Sequence, residues 1–529
     1  MRGLISFRVF LLLLMFGNFC TVAQISQTRR YERQQKNSDD YFNVISLKTE
    51  GLALFRERDK YKGVNRLWEL ILLDTALQEK GTLELEVNDR YKMIGYEVVP
   101  DQIYFLYRTG ETTKNDFELI EIGLGDSPSV TARYQIKPEL DFKLTHFIKA
   151  GTNFIFGGYV NNEPAIVLYE LPSKNIRVIP GFFQKDTELV DLRTNQNQTF
   201  NTVLVDRSTK ENRKLVLRTF DETGKQLLED LVPIEEGKTL QTGITSTLQR
   251  EDLAVIGSWG ERNSKQSIGF YFLDINPFQD QPIKYLDFGQ LSHYLDYLPS
   301  KRAERIKQSS KDDLKAGRIP NFTSYVMPFS VAEYSKGFIL LAEVYNPVST
   351  TSPYYSNPYY YNPYYSPYGF YPYGFYYPGM SRMYRPYAYN SGARNTNEIR
   401  TSSASVISFG SDGKVNWDYS FKLDEMKMPG LEQVSDYIMK NDQIYILYKK
   451  ESELKLKVVS LQDGQAMENT MMVKLEDPLD EIRSEKEYEG GVRQWQSDAF
   501  YVWGYQTVRN TTKEDRVRDV FYINKVVVR

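Results

Sequence analysis

Cysteine and histidine are almost missing from this chain: its 529 residues include one cysteine, Cys20, and two histidines, His146 and His293. Cys20 lies inside an N-terminal leader, so the processed chain has no thiol and forms no disulfide. Thiolate catalysis and cysteine–zinc sites are thereby excluded, and two isolated histidines build no histidine metal cluster. His146 sits in an alternating strand and His293 at the edge of an insertion, settings in which a histidine is structural rather than a base. No metal and no cofactor is expected.

Charge of one sign is also lacking. Sixty-six basic residues face 69 acidic ones, a net charge of −3, and the two signs are interspersed. Such a chain has no field that gathers polyanions, which argues against nucleic acid as a partner. Glycine-rich phosphate loops and the Gly-x-Ser-x-Gly elbow are absent; the nearest stretch, Gly257-Ser258-Trp259-Gly260, does not match. Paired carboxylates drawn from distant parts of the chain leave no signature in spacing, so a glycosidase-type pair stays open as an alternative.

Apolar runs long enough to cross a bilayer, about 20 residues, do not occur after residue 24. The one apolar run, residues 9–16, follows Arg2 and Arg8 and precedes Thr21-Val22-Ala23. This is the layout of a secretory signal peptide, residues 1–23, cut after Ala23. A lipoprotein anchored through Cys20 is the minor alternative, disfavoured by the bulky Phe19 before it. The processed chain is therefore expected in the periplasm or at the outer membrane, soluble or attached peripherally. With Gln24 just after the cut, the sequence resembles exported proteins of Gram-negative bacteria of the Bacteroidota type.

What the chain has in abundance is aromatic side chains, 14% of all residues with 40 tyrosines, a bias that suits pleated half-buried surfaces. After a polar stretch at 24–40, read as a flexible leader, the remainder at 41–529 repeats itself. The octet DQIYFLYR at 101–108 returns as DQIYILYK at 442–449. Related apolar segments, read as the first strands of repeating units, fall at 52–55, 103–107, 154–159, 200–205, 253–259, 338–345, 444–448 and 500–505. Their early spacing of about 50 residues is the period of a four-stranded propeller blade. A lone unit of this kind cannot cover both its faces, whereas blades stacked around an axis cover one another. The expected fold is all-β: a β-propeller of seven or eight four-stranded blades.

Asp and Gly in the segments 220–225 and 411–414 mark hairpin turns between alternating strands. They lack the run of acidic positions that a calcium loop needs. Asp412-Gly413 with Trp417 resembles Asp-box and quinoprotein-type propeller repeats, but the spacing matches neither and implies no ligand.

Two insertions interrupt the pattern. The first, 291–318, contains Pro299, then Ser300 as a candidate N-cap before a basic run, and reads as a short basic helix lying on the propeller. The second, 346–400, is a Tyr/Pro-rich low-complexity loop holding fifteen of the 40 tyrosines among regularly placed Pro, Asn, Ser and Gly. Proline there forbids a long helix or a central strand. Tyrosine on such a backbone offers rigid, amphipathic contact area. The candidate binding residues are Tyr354, Tyr355, Tyr359, Tyr360, Tyr361, Tyr364, Tyr365, Tyr368, Tyr371, Tyr373, Tyr376 and Tyr377. Together these features point to a non-enzymatic envelope scaffold presenting loops to a protein or glycan partner. The alternatives are a propeller-type carbohydrate-active enzyme and a passive subunit of an envelope assembly.

Overall fold

The repeated octets form two matching, deeply buried strands. Gln102–Thr109 and Gln443–Lys450 each hide five or six consecutive residues, because both faces of the strand are covered. The two repeats share fine detail as well. Tyr104 donates to the Gln102 Oε1 at 2.7 Å and Tyr445 donates to the Gln443 Oε1 at 2.7 Å. The turn residues Asp101 and Asp442 both take positive φ, and their carbonyls accept from Leu124 and Leu461 at 2.9 Å.

A computed structural model describes residues 25–529 except 37, 110–115, 126, 209–210, 247–252, 263, 265, 277–280, 323, 350–396, 429–431, 487–488 and 514–515. Its strands assemble into eight four-stranded antiparallel blades arranged as a ring, a β-propeller. In chain order the blades span 43–88, 92–136, 142–179, 187–233, 238–287, 325–428 and 436–472, and the eighth combines 481–528 with 25–34. First strands of neighbouring blades touch one another, which places them around the axis. Fourth strands such as Ser129–Ile136 alternate exposed and half-buried residues and form the rim.

The eight segments expected as first strands are therefore the second strands of their blades. The true inner strands escape periodicity because most are broken. A register shift falls in the inner strand of blades 2, 3, 4 and 6, as at Leu144/His146 and Leu189/Asp191. In blades 5 and 8 the inner position is split between two short strands. An extra residue at a bulge reverses the in–out alternation beyond it, so no continuous period of two survives.

The reading of 24–40 as a flexible leader is corrected. Residues Ile25–Gln34 form a strand paired antiparallel with Val517–Val528 at the other end of the chain, and so complete the eighth blade. Its composition is polar because it is the outer strand of its blade: Ile25 and Tyr31 are buried while Thr28 and Arg29 are exposed. Residues 1–24, with Cys20 and the expected cut after Ala23, lie outside the described residues.

Closure brings blade 8 against blade 1. Tyr31, Phe42, Leu52, Leu54, Tyr505 and Phe521 share one apolar cluster across this seam. Beside it the buried carboxylate of Glu69 meets three guanidinium groups: Arg33 at 2.7 Å, Arg56 at 2.8 Å and Arg58 at 3.4 Å. Arg56, 2% exposed, also donates to the Gln35 Oε1 at 3.0 Å. Arg33 belongs to the N-terminal strand and Arg56 and Glu69 to blade 1, so the cluster locks the ring. Among the described residues, removing the shared acceptor leaves Arg56 and Arg58 only the Asp39 carboxylate, at 3.3 and 3.7 Å, and leaves Arg33 only that of Glu79, at 3.1 Å. The Glu69→Ala variant is expected to lose about 3 kcal/mol of unfolding free energy in urea titration, with the native circular dichroism spectrum kept at zero denaturant.

Candidate functional site: the face that carries both insertions

In a meander of antiparallel strands, connections emerge at the two ends of the sheet in strict alternation. The links that enter a first strand and those that join second to third strands therefore share one face of the ring. Both insertions are of this kind, and both belong to blade 6. Residues 288–324 lead into its first strand, Tyr325–Tyr334, and 350–396 join its second strand, Gly337–Ser349, to its third, Asn397–Gly410. Tyr325 pairs with Tyr345, and their rings lie 5.7 Å apart. The end of one insertion thus adjoins the start of the other.

The first insertion contains the expected helix, α1 (Ser300–Lys315), but its N-cap is Pro299 and not Ser300. Proline at φ −55° and ψ 135° sets the extended entry, and Ser300 already lies in the first turn, where its hydroxyl makes no capping bond. Buried Ala303 and Ser310 face the propeller. Ser310 donates to the Asp287 Oδ1 at 2.7 Å, tying the helix to blade 5. Blade 6 holds the approach to the helix: Asp418 accepts from the backbone N–H groups of Ser292 at 2.8 Å and His293 at 2.6 Å. Burial raises the Asp418 pKa, and those two amides counter the shift. The outward side of α1 presents Lys301, Arg302, Arg305, Lys311 and Lys315 to solvent.

The tyrosine-rich loop is shorter at both ends than its expected bounds of 346–400. Residues through Ser349 and from Asn397 onward are strand, paired Ser349↔Asn397, Pro347↔Ile399 and Tyr345↔Thr401. The third strand is braced in turn by Val415–Met428, with Ile399 opposite Met428. Blade 6 thus has second, third and fourth strands of 13, 14 and 14 residues, against 8 each for the second and third strands of blade 7. The ribbon runs out from the blade on the insertion face. Tyr354 and the other tyrosines named above, through Tyr377, lie outside the described residues.

His146 lies in blade 3 and His293 in the link that leads into blade 6. His146 is buried beside the bulge in blade 3, its Nδ1 2.8 Å from the Thr145 hydroxyl, and burial pulls its pKa down to about 4. It is therefore neutral at physiological pH. His293 is exposed, with Nδ1 2.8 Å from the Asp296 Oδ2.

Two buried carboxylates, Asp191 on the inner strand of blade 4 and Glu343 on the second strand of blade 6, serve the seams between blades. Asp191 of blade 4 accepts from the amide and the hydroxyl of Thr245 of blade 5, each at 2.9 Å, while Arg193 donates to the Thr245 carbonyl at 2.8 Å. Glu343 of blade 6 accepts from Val434 at 3.0 Å and from both the amide and hydroxyl of Ser435 at 2.8 Å, at the entry to blade 7. Burial pushes the Glu343 pKa up to about 7, against those donors and the charge of Arg493. Sequence reasoning missed these residues because a lone acid within an apolar strand carries no spacing signal. Among the described residues no group of three or more His, Cys, Asp or Glu side chains could hold a metal ion, and no helix is long and apolar enough to cross a membrane.

No protein-family model matches the sequence, and no curated protein does. Solved structures of similar fold include polysaccharide lyase Uly1, at TM-score 0.39 and 8% identity over 94% of this chain and 99% of that one. The β-propeller domain of the Trilobed protease from Pyrococcus furiosus gives TM-score 0.32 and 11% identity over 82% and 95%. A eukaryotic initiation factor gives 0.38 and 8% over 94% and 92%. Likeness of this degree assigns no activity.

The Glu343 carboxylate sets a pH dependence. Its folded pKa lies above that of a free glutamate, so the folded state holds the extra proton between about pH 4.5 and pH 7. Stability from this group therefore falls as pH rises through that window and is level above it. Relative to Glu343→Gln, the wild type should lose up to about 3 kcal/mol between pH 4.5 and 7.5, read by denaturant unfolding of both proteins across that range.

Proposed function

We propose that this protein is an exported, non-enzymatic scaffold of the cell envelope that holds segment 350–396 toward a protein or glycan partner. The observation that carries the reading is the braced ribbon of blade 6, which extends past the blade and delivers both ends of that segment as paired neighbours, Ser349 beside Asn397. A rigid ring is a sound mount for such a loop, since binding residues are commonly carried on connections positioned by a fixed framework. The composition of the segment suits recognition: tyrosines supply large rigid contact surfaces, and prolines limit the ordering cost on binding. Export to the periplasm or outer membrane rests on the leader at 1–23.

Because Ser349 and Asn397 face each other across one antiparallel pair, a short turn can replace 350–396 without moving either strand. The replaced protein is expected to melt within about 3 °C of the wild type. It should recover none of the partner that tagged wild type retains from native envelope fractions. Equal recovery of the same partner by both proteins would overturn the assignment of binding to this segment.

A further inference from the structure

On the rim between blades 1 and 2, well away from blade 6, a cleft of about 520 Å3 opens between the outer strands Glu79–Asn88 and Ser129–Ile136. Its volume is that of a small-molecule site, and its lining is mainly polar, which does not suit an apolar ligand. Glu118 is buried at the floor, held by Arg133 at 3.4 Å and by the Gln135 amide at 3.1 Å. Arg133 also donates to the Glu86 carbonyl at 2.8 Å, so one guanidinium spans the two blades and fixes their spacing. Lys62 pairs with Glu86 at the lip, at 2.5 Å. Tyr91, from the link between the blades, packs part of its ring on their shared core and lines the cleft with the rest.

Charge and hydrogen-bonding capacity narrow the ligand. Glu118 and Glu86 already face cations, and Glu84 makes no ion pair among the described residues. One carboxylate left over repels an anion, while the lining offers too little uncompensated charge to select a polycation. Asn65 bonds to Glu86, the Asn88 Oδ1 accepts from the Arg90 backbone at 3.0 Å and leaves its NH2 group to donate, and Tyr91 supplies an aromatic surface. The Glu84 carboxylate as acceptor and the Asn88 amide as donor, beside a partly packed ring, match a hydroxyl-rich neutral molecule. We propose that this cleft binds a short neutral oligosaccharide, at a site separate from segment 350–396 and independent of it.

The test is a glycan array of neutral and anionic oligosaccharides, probed with the wild type, the 350–396 replacement, Tyr91→Ala, Tyr91→Phe and Glu84→Arg. A neutral glycan should be retained equally by the wild type and the replacement. Apparent affinity should fall about tenfold or more in Tyr91→Ala and stay within about threefold in Tyr91→Phe, because the ring and not the hydroxyl supplies the contact. Glu84 is exposed, so Glu84→Arg fills the cleft without disturbing the core and should abolish retention even if Tyr91→Ala fails to fold. Retention of no neutral glycan, or retention that survives Glu84→Arg, overturns the proposal. Loss of binding in the replacement alone would assign the glycan to the segment instead and also overturn it.

Discussion

Everything in this molecule depends on one pairing: the strand Ile25–Gln34 against Val517–Val528, the two ends of the described chain joined in a single blade. Until it forms, the last blade exposes the edge of Val517–Val528 and the first blade lacks the partner for Leu52, Leu54 and Ile71. Closing a loop of this length costs entropy that grows only slowly with length, so the interactions formed at one seam can offset it. They are of two kinds, an apolar cluster and a buried network centred on Glu69. The apolar part supplies driving force. The charged part supplies register, because Glu69 reaches Arg33 and Arg56 together in one alignment of the N-terminal strand.

The other seams repeat this division of labour with different chemistry. Phe55 stacks on Phe105 at 4.1 Å between blades 1 and 2, and Phe421 on Tyr448 at 5.6 Å between blades 6 and 7. Beside such rings lies a polar link from one blade to an amide at the next inner strand: Asp191 to Thr245, Glu343 to Ser435, and Tyr159 to the amide of Leu189 at 3.0 Å. Aromatic packing is tolerant of angle, whereas a hydrogen bond to a fixed amide is not. Each buried acceptor therefore sets how far its neighbour is turned. The desolvation it suffers, visible in the raised pKa values of Asp191 and Glu343, is the cost of that placement.

The sequence was legible where a strand is buried on both faces. All eight second strands stand out as short apolar runs, and counting them would have settled eight blades over seven. The inner strands were hidden by bulges, and the strand at 25–34 by its partner's distance, since ISQTRRYERQ has the composition of a linker. One signal for it was present. Residues 481–528 supply inner, second and third strands and no fourth, so the missing strand had to come from elsewhere. The candidate site divides the same way. The tyrosine-rich composition of 350–396 is plain from sequence, but the braced ribbon that mounts it depends on register. The seam carboxylates and the rim cleft are gatherings of residues from different strands that no spacing rule connects.

Both long insertions lie on one face of the ring, and the physical reason connects fold to function. On the opposite face two links between third and fourth strands are tight and their residues are committed: Asp221 accepts from Thr223 and Lys225, each at 2.9 Å, to shape one turn, and a Cβ at Gly413 would meet Phe272 at 2.4 Å. Turns that are themselves packed between blades cannot lengthen without opening a seam. On the insertion face blade 6 solves the problem by extending its own sheet before the chain departs, so that the added residues leave from hydrogen-bonded strands and not from the packed ring. The ring can then keep its closure energy while the loop composition varies, a separation of stability from recognition that a binding scaffold requires.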